Sequence, residues 1–177
     1  MTNFKVPDRG DVSVKNQEIF DQFKNSLGFV PNLYATMAYS ENGLSNYLNF
    51  QNGKTSFSKK EKEAVNLVVS QINNCRYCQS AHTVLGKMNG FNDEQILSLR
   101  QGVAPWDTKT DSLVKLAEEI TLNRGKINND VLEYFFRSGY SKESLVDLVL
   151  LIADKVVMNY LHSITQIPID FPIASEL

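Results

Sequence analysis

The sequence predicts an all-α, single-domain helical bundle of about eight helices. Apolar residues recur at three- and four-residue spacing through most of the chain, and capping residues and glycines punctuate those periodic segments. Between them lies no polar–apolar alternation long enough for a strand. Pro-, Ser- or Gly-rich linkers are also missing, so residues 1–177 read as one domain with an extended tail from residue 166 onward.

The elements follow in order. Ile19, Phe20, Phe23 and Leu27 mark a helix over 15–27, stopped by Gly28. Pro31 suits the first turn of a short helix ending near Tyr39. Ser40 can cap a third, through Leu44, Tyr47 and Leu48, that runs out near Gly53. Ser58-Lys-Lys-Glu61 is a capping-box pattern opening a strong helix through Ile72. Asn73 or Asn74 then caps a helix to Met88, with Gly90 beyond it. Asn92 with Gln95 starts a short helix toward Leu99, and Asp107 a longer one to Asn123, ended by Gly125. Asn129 opens Val131 to Arg137, Gly139 closes it, and Ser141 begins the last helix to near Leu161. The tail, with Pro168 and Pro172, is extended and lies on its own body or on a neighbouring subunit.

Composition narrows the function classes. The chain is 42% hydrophobic and 21% charged, with a net charge of -2 and a pI near 5.7. Its basic residues are scattered among acids, which speaks against nucleic acid or an anionic membrane as partner. The longest apolar run, Leu148 to Ala153, is closed by Asp147 and Asp154 and falls far short of the roughly 20 residues a spanning helix needs. The N-terminal MTNFKVPDRGD lacks the apolar core of a secretory signal, so the cytoplasm is the expected compartment. No Gly-rich phosphate loop, GxSxG elbow or carboxylate-rich metal motif is visible.

The two cysteines, Cys75 and Cys78, are three positions apart, too close to staple a secreted domain. In a reducing compartment such a pair is reactive or metal-binding before it is structural. Both are expected in the opening turn of a helix, where free N–H groups and the helix dipole lower a thiol pKa below its free value of about 8.5. A thiolate attacks a peroxide oxygen to give a sulfenic acid that a second thiol captures. His82, four residues after Cys78, shares its helical face and is suited to exchange a proton with it. Glu63 sits on the preceding helix, which the Asn73-Asn74 turn can fold back against the cysteine helix. On pattern alone, Glu63, Asn66 and Ser70 form a polar strip opposite Val65, Val68, Val69 and Ile72, and such a strip ordinarily faces solvent.

The segment from Glu63 to His82 resembles the alkylhydroperoxidase D-like branch of the carboxymuconolactone decarboxylase superfamily. The shared signature is a glutamate, eleven intervening residues, then Cys-x-x-Cys-x-x-x-His. Leu27-Gly-Phe-Val-Pro-Asn-Leu33, Asn159-Tyr-Leu-His162 and Ile169-Asp-Phe-Pro172 resemble its peroxidase-related subgroup. The resemblance implies a helical fold, assembly into a homo-oligomer (trimer or hexamer), and reduction of a small hydroperoxide by a dithiol without a cofactor. By that analogy Cys78 attacks the peroxide, Cys75 resolves it, His82 and Glu63 relay protons, and an external dithiol or thioredoxin-like reductant resets the pair. The best-studied branch has a second histidine just before the second cysteine; here that position is Tyr77.

Three alternatives stand beside this reading. Cys75, Cys78, His82 and the remote His162 supply four donors of the types zinc takes, although zinc sites usually use spaced pairs. A zinc-binding or redox-sensing module without catalysis would use the same residues. A lactone decarboxylase, as the superfamily name suggests, has no need of a CxxC pair. His162 itself reads as a packing or capping residue near a helix end, and Tyr34, Tyr47, Tyr134, Phe135 and Phe136 as core or subunit interface.

Overall fold

A computed structural model describes residues 4–177. The described residues form nine α-helices and one 3-10 turn (Arg9–Asp11), with no strand. The helices are α1 (Val14–Leu27), α2 (Asn32–Met37), α3 (Gly43–Gln51), α4 (Lys59–Ile72), α5 (Arg76–Met88), α6 (Asp93–Arg100), α7 (Thr108–Leu122), α8 (Asn129–Arg137) and α9 (Lys142–Thr165).

Local chemistry sets most of these boundaries. The Ser58 hydroxyl accepts the Glu61 N–H at 3.2 Å while the Glu61 carboxylate accepts the Ser58 N–H at 2.9 Å, so two otherwise orphaned donors at the start of α4 are satisfied. Asn92 and Gln95 do the same for α6. Asp107 caps α7 through the Thr110 N–H, and Asn128, one residue earlier than expected, caps α8 through the Asp130 N–H. Gly28 ends α1 at φ 84°, a left-handed conformation that costs glycine nothing. The last helix continues to Thr165 rather than stopping near Leu161, and ends where Gln166 turns left-handed at φ 50°.

The chain packs as two compact units. One runs to Gly53 and takes in Leu161–Asp170; the other comprises Lys54–Tyr160 and Phe171–Leu177. In the first unit Phe20, Leu44, Ala35, Ala38 and Val12 form the core. The Asp170 carboxylate accepts the Asn32 N–H at 2.7 Å, an anion at the start of α2.

The second unit is built around α4, which packs against α5, α6 and α7. Its core joins Val65, Leu67, Val68, Leu99, Leu113, Leu116, Phe135 and Leu148. Phe135 stacks on Tyr140 with ring centroids 4.4 Å apart. Because neighbours enclose α4 on several sides, every residue from Glu63 to Ser70 is buried. The polar strip that pattern alone turns toward solvent is therefore inside, and that expectation is corrected: solvent exposure requires a free face, and α4 has none over these residues.

The final residues of this unit lie along its own α5 and α6. Phe171 presents its ring to the edge of Tyr77 at 5.6 Å, the Ala174 N–H donates to the Ser80 hydroxyl at 3.0 Å, and Arg100 donates to the Ser175 carbonyl at 2.8 Å. Among the described residues no helix is long and apolar enough to cross a membrane.

Candidate active site

The turn between α4 and α5 places the sulfurs. Asn74 takes a left-handed conformation at φ 50°, and the Cys75 N–H then donates to the Ser70 carbonyl at 3.0 Å. Cys75, not Asn73 or Asn74, is the N-cap of α5: its sulfur accepts the Cys78 backbone N–H at 3.3 Å. This corrects the expected start of the helix. It also places one sulfur where a serine or aspartate oxygen usually sits, at the positive end of the helix. Cys78 follows in the first turn, and the two sulfurs lie 2.7 Å apart within hydrogen-bond reach, not joined as a disulfide. Little side-chain motion separates this arrangement from a disulfide.

Both cysteines are almost fully buried, at 2% and 3% exposure. The Cys78 thiol is pushed up, first by its hydrogen bond to Cys75 and then by burial. For Cys78 this overturns the expectation that the helix start lowers its pKa. The helix end favours an anion on the capping sulfur, and once Cys75 holds that charge Cys78 keeps its proton. Opposing this, the charge of Lys155 and a hydrogen bond with Asn159 pull Cys78 back down.

Glu63 and His82 meet beside the pair. Glu63 Oε2 lies 2.7 Å from His82 Nδ1, and Asn66 donates to Glu63 Oε1 at 3.3 Å. Burial pushes the Glu63 carboxyl up, but His82, Lys155 and Asn66 together hold it below the usual carboxylate range. Burial and the Lys155 charge depress the His82 pKa, against the pull of Glu63 and Asp154. The consistent state is a Glu63 carboxylate accepting a proton-bearing Nδ1, which leaves Nε2 of a neutral imidazole as an unprotonated base. Cys78 and His82 are four residues apart on one face of α5.

Helix α9 adds three residues to which the sequence reading gave no role in the site. Asp154, Lys155 and Asn159 are all buried, and Lys155 Nζ lies 3.7 Å from Asp154 Oδ2. Asn159 accepts from Asn73 at 2.9 Å and donates to the Ser70 hydroxyl at 3.4 Å, so it grips the residues that hold the cysteine turn. A signal for them exists in the sequence. Leu148, Leu151 and Ile152 are core positions, and the same 3.6-residue stripe continues to Lys155 and Asn159. Polar residues in core phase on a long apolar helix are candidates for buried chemistry.

His162 Nε2 lies 3.2 Å from the Ile167 carbonyl. Among the described residues no group of three or more His, Cys, Asp or Glu side chains is placed to hold a metal ion.

An all-helical domain with a buried dithiol at the start of one helix and a carboxylate–imidazole pair beside it has the fold of alkylhydroperoxidase D-like proteins. A peroxidase-related protein from Silicibacter sp. TM1040 is similar with a TM-score of 0.83 and 24% identity, over 94% of this chain and 91% of that one. The alkylhydroperoxidase AhpD core of a peroxidase-related protein from Ralstonia eutropha JMP134 is similar with a TM-score of 0.85 and 16% identity, over 95% and 92%. The debrominase Bmp8, in complex with 2,3,4-tribromopyrrole, shares the fold at a TM-score of 0.77 and 17% identity, over 96% and 93%. In sequence, YdfG of Bacillus subtilis (strain 168) is 30% identical over 101 residues, 56% of this chain and 69% of that protein. The profile of the carboxymuconolactone decarboxylase family matches residues 40–119, which include Glu63, Cys75, Cys78 and His82. The chain belongs to the carboxymuconolactone decarboxylase family.

Proposed function

We propose that this protein is a thiol-dependent peroxidase that reduces a small hydroperoxide through a Cys75/Cys78 dithiol–disulfide cycle, with His82 and Glu63 handling the protons. The observation that carries the reading is the 2.7 Å approach of the two sulfurs beside a Glu63–His82 pair of the same length. In the cycle the Cys78 sulfur attacks the terminal peroxide oxygen, the O–O bond breaks, and Cys78 becomes a sulfenic acid. The leaving alkoxide takes the proton that His82 received from the thiol, and Glu63 holds the imidazole ring and offsets its transient charge. The Cys75 thiolate then displaces hydroxide from the Cys78 sulfur, and with one further proton the products are an alcohol, water and the disulfide.

An external dithiol or thioredoxin-like reductant reopens the disulfide, a step suited to a reducing compartment such as the cytoplasm. The cycle itself needs no cofactor. A homo-oligomer, trimer or hexamer, belongs to the same reading; Val146, Val149, Leu150, Val157 and Tyr160 expose apolar area at helical spacing along α9, and light scattering measures the subunit number. The lactone chemistry in the family's name has no use for a thiol pair.

The test is mass spectrometry of the peptide containing residues 75–82 after one equivalent of hydroperoxide, with product alcohol measured in parallel. The expected result is loss of two hydrogens across Cys75 and Cys78 and one equivalent of alcohol. Two intact thiols beside unconsumed peroxide overturn the reading, and a disulfide formed once with no turnover on added dithiol points to the sensor.

A further inference from the structure

A lysine with 3% exposure is unusual in a core unless its charge is used or balanced. Lys155 has Asp154 beside it, yet its charge is also felt by Cys78, Glu63 and His82. One helical turn further, Asn159 is fully buried and bound to Ser70 and Asn73, so this face of α9 is fixed against the cysteine turn by hydrogen bonds independent of Lys155. The charged groups that act on Cys78 are Cys75 and, from α9, Lys155; one turn on along α5, His82 is acted on by Glu63 from α4 and by Asp154 and Lys155 from α9. Two of these are carboxylates, His82 is neutral, and Lys155 supplies the positive charge.

The dithiol has two monoanionic forms. The helix start favours the charge on Cys75, which accepts the Cys78 N–H. Attack by Cys78 requires the other form, in which the proton has crossed the 2.7 Å to Cys75 or moved to His82. An uncompensated anion in so buried a place is costly. We propose that Lys155 is a positioning residue of this site, whose buried ammonium draws the negative charge of the dithiol onto Cys78 and so selects Cys78 as the attacking sulfur. The inference rests on the thiol reading above. Lys155 works against protonation of His82 at the same time, so the anion on Cys78 does not depend on a resting imidazolium.

The experiment is iodoacetamide alkylation of the reduced full-length protein across pH 5–10, with the label at Cys78 and Cys75 quantified separately by mass spectrometry. Lys155→Met, Lys155→Arg and the charge-balanced pair Asp154→Asn/Lys155→Met are compared with wild type, and circular dichroism establishes that each is folded. In Lys155→Met the Cys78 profile moves at least one pH unit upward, and its Cys78:Cys75 labelling ratio at pH 7.5 falls about tenfold, the equivalent of one pKa unit. Lys155→Arg keeps the wild-type profile and ratio. If Lys155→Met does not fold, the charge-balanced pair carries the same expectation. An unchanged profile and ratio in a folded variant without the lysine overturns the inference and leaves Lys155 a packing residue. Alkylation is read without peroxide, so a wild-type protein that fails to turn over hydroperoxide while showing the Lys155 effect defeats the peroxidase reading alone.

Discussion

Glu63 Oε2 and His82 Nδ1 stand 2.7 Å apart although 19 residues separate them in the chain. The pair links α4 to α5 and decides which imidazole nitrogen is free to act as a base. In Glu63→Gln the imidazole keeps a hydrogen-bonding neighbour but loses the charge that supports its protonated form. The fold is expected to persist while the single-turnover rate of peroxide reduction drops about 10- to 100-fold, within the range of general acid–base contributions. Stopped-flow measurement of peroxide loss, with circular dichroism as the fold control, checks this.

The sulfurs have distinct expected roles. Cys78→Ser abolishes peroxide consumption. Cys75→Ser consumes one equivalent and stops at a Cys78 sulfenic acid, detectable as a dimedone adduct. Full steady-state activity in both variants contradicts a dithiol cycle.

Acid stability follows from the same pair. The His82 pKa is depressed from 6.5, so below that pH the unfolded chain binds a proton the native protein resists, and stability is lost as pH falls through and beneath 6.5. Glu63, depressed from 4.5, contributes stability that is present above that value and is lost at still lower pH. The melting temperature is expected to be flat from pH 8 to 7 and to decline below 6.5. Replacing His82 by Gln removes the first part of that decline and weakens the second, because His82 is the main group holding the Glu63 carboxyl down.

Asn159 holds Asn73 and Ser70 from a fully buried position. Asn159→Ala leaves buried polar partners unsatisfied, a loss of about 1–3 kcal/mol. It also frees the turn before Cys75, so urea unfolding and thiol alkylation change together. A variant as stable as wild type removes Asn159 from this role.

Phe135 stacks on Tyr140 inside the second unit and is fully buried. Phe135→Ala is expected to cost about 3–5 kcal/mol by loss of contacts and the cavity left behind. Chemical denaturation gives the value, and a cost below about 1 kcal/mol shows that the site collapses around the gap.

What the sequence determined alone was local in origin. Helix positions and types followed from 3.6-residue periodicity, from the capping box at Ser58 and Glu61, and from stops such as Gly28, because those signals act within a few residues. The spacing of Cys75, Cys78 and His82 was legible for the same reason: one helix fixes it. Tertiary structure decided the rest. It buried Glu63, Asn66 and Ser70 by surrounding α4, where amphipathic pattern turned them outward. It made Cys75 the cap and raised the Cys78 thiol, because the hydrogen bond between the sulfurs and burial both favour the protonated form of Cys78. It also brought Asp154, Lys155 and Asn159 to a cysteine turn some eighty residues away in the chain. Burial and long-range charge depend on which faces meet, and a linear pattern records only which faces exist.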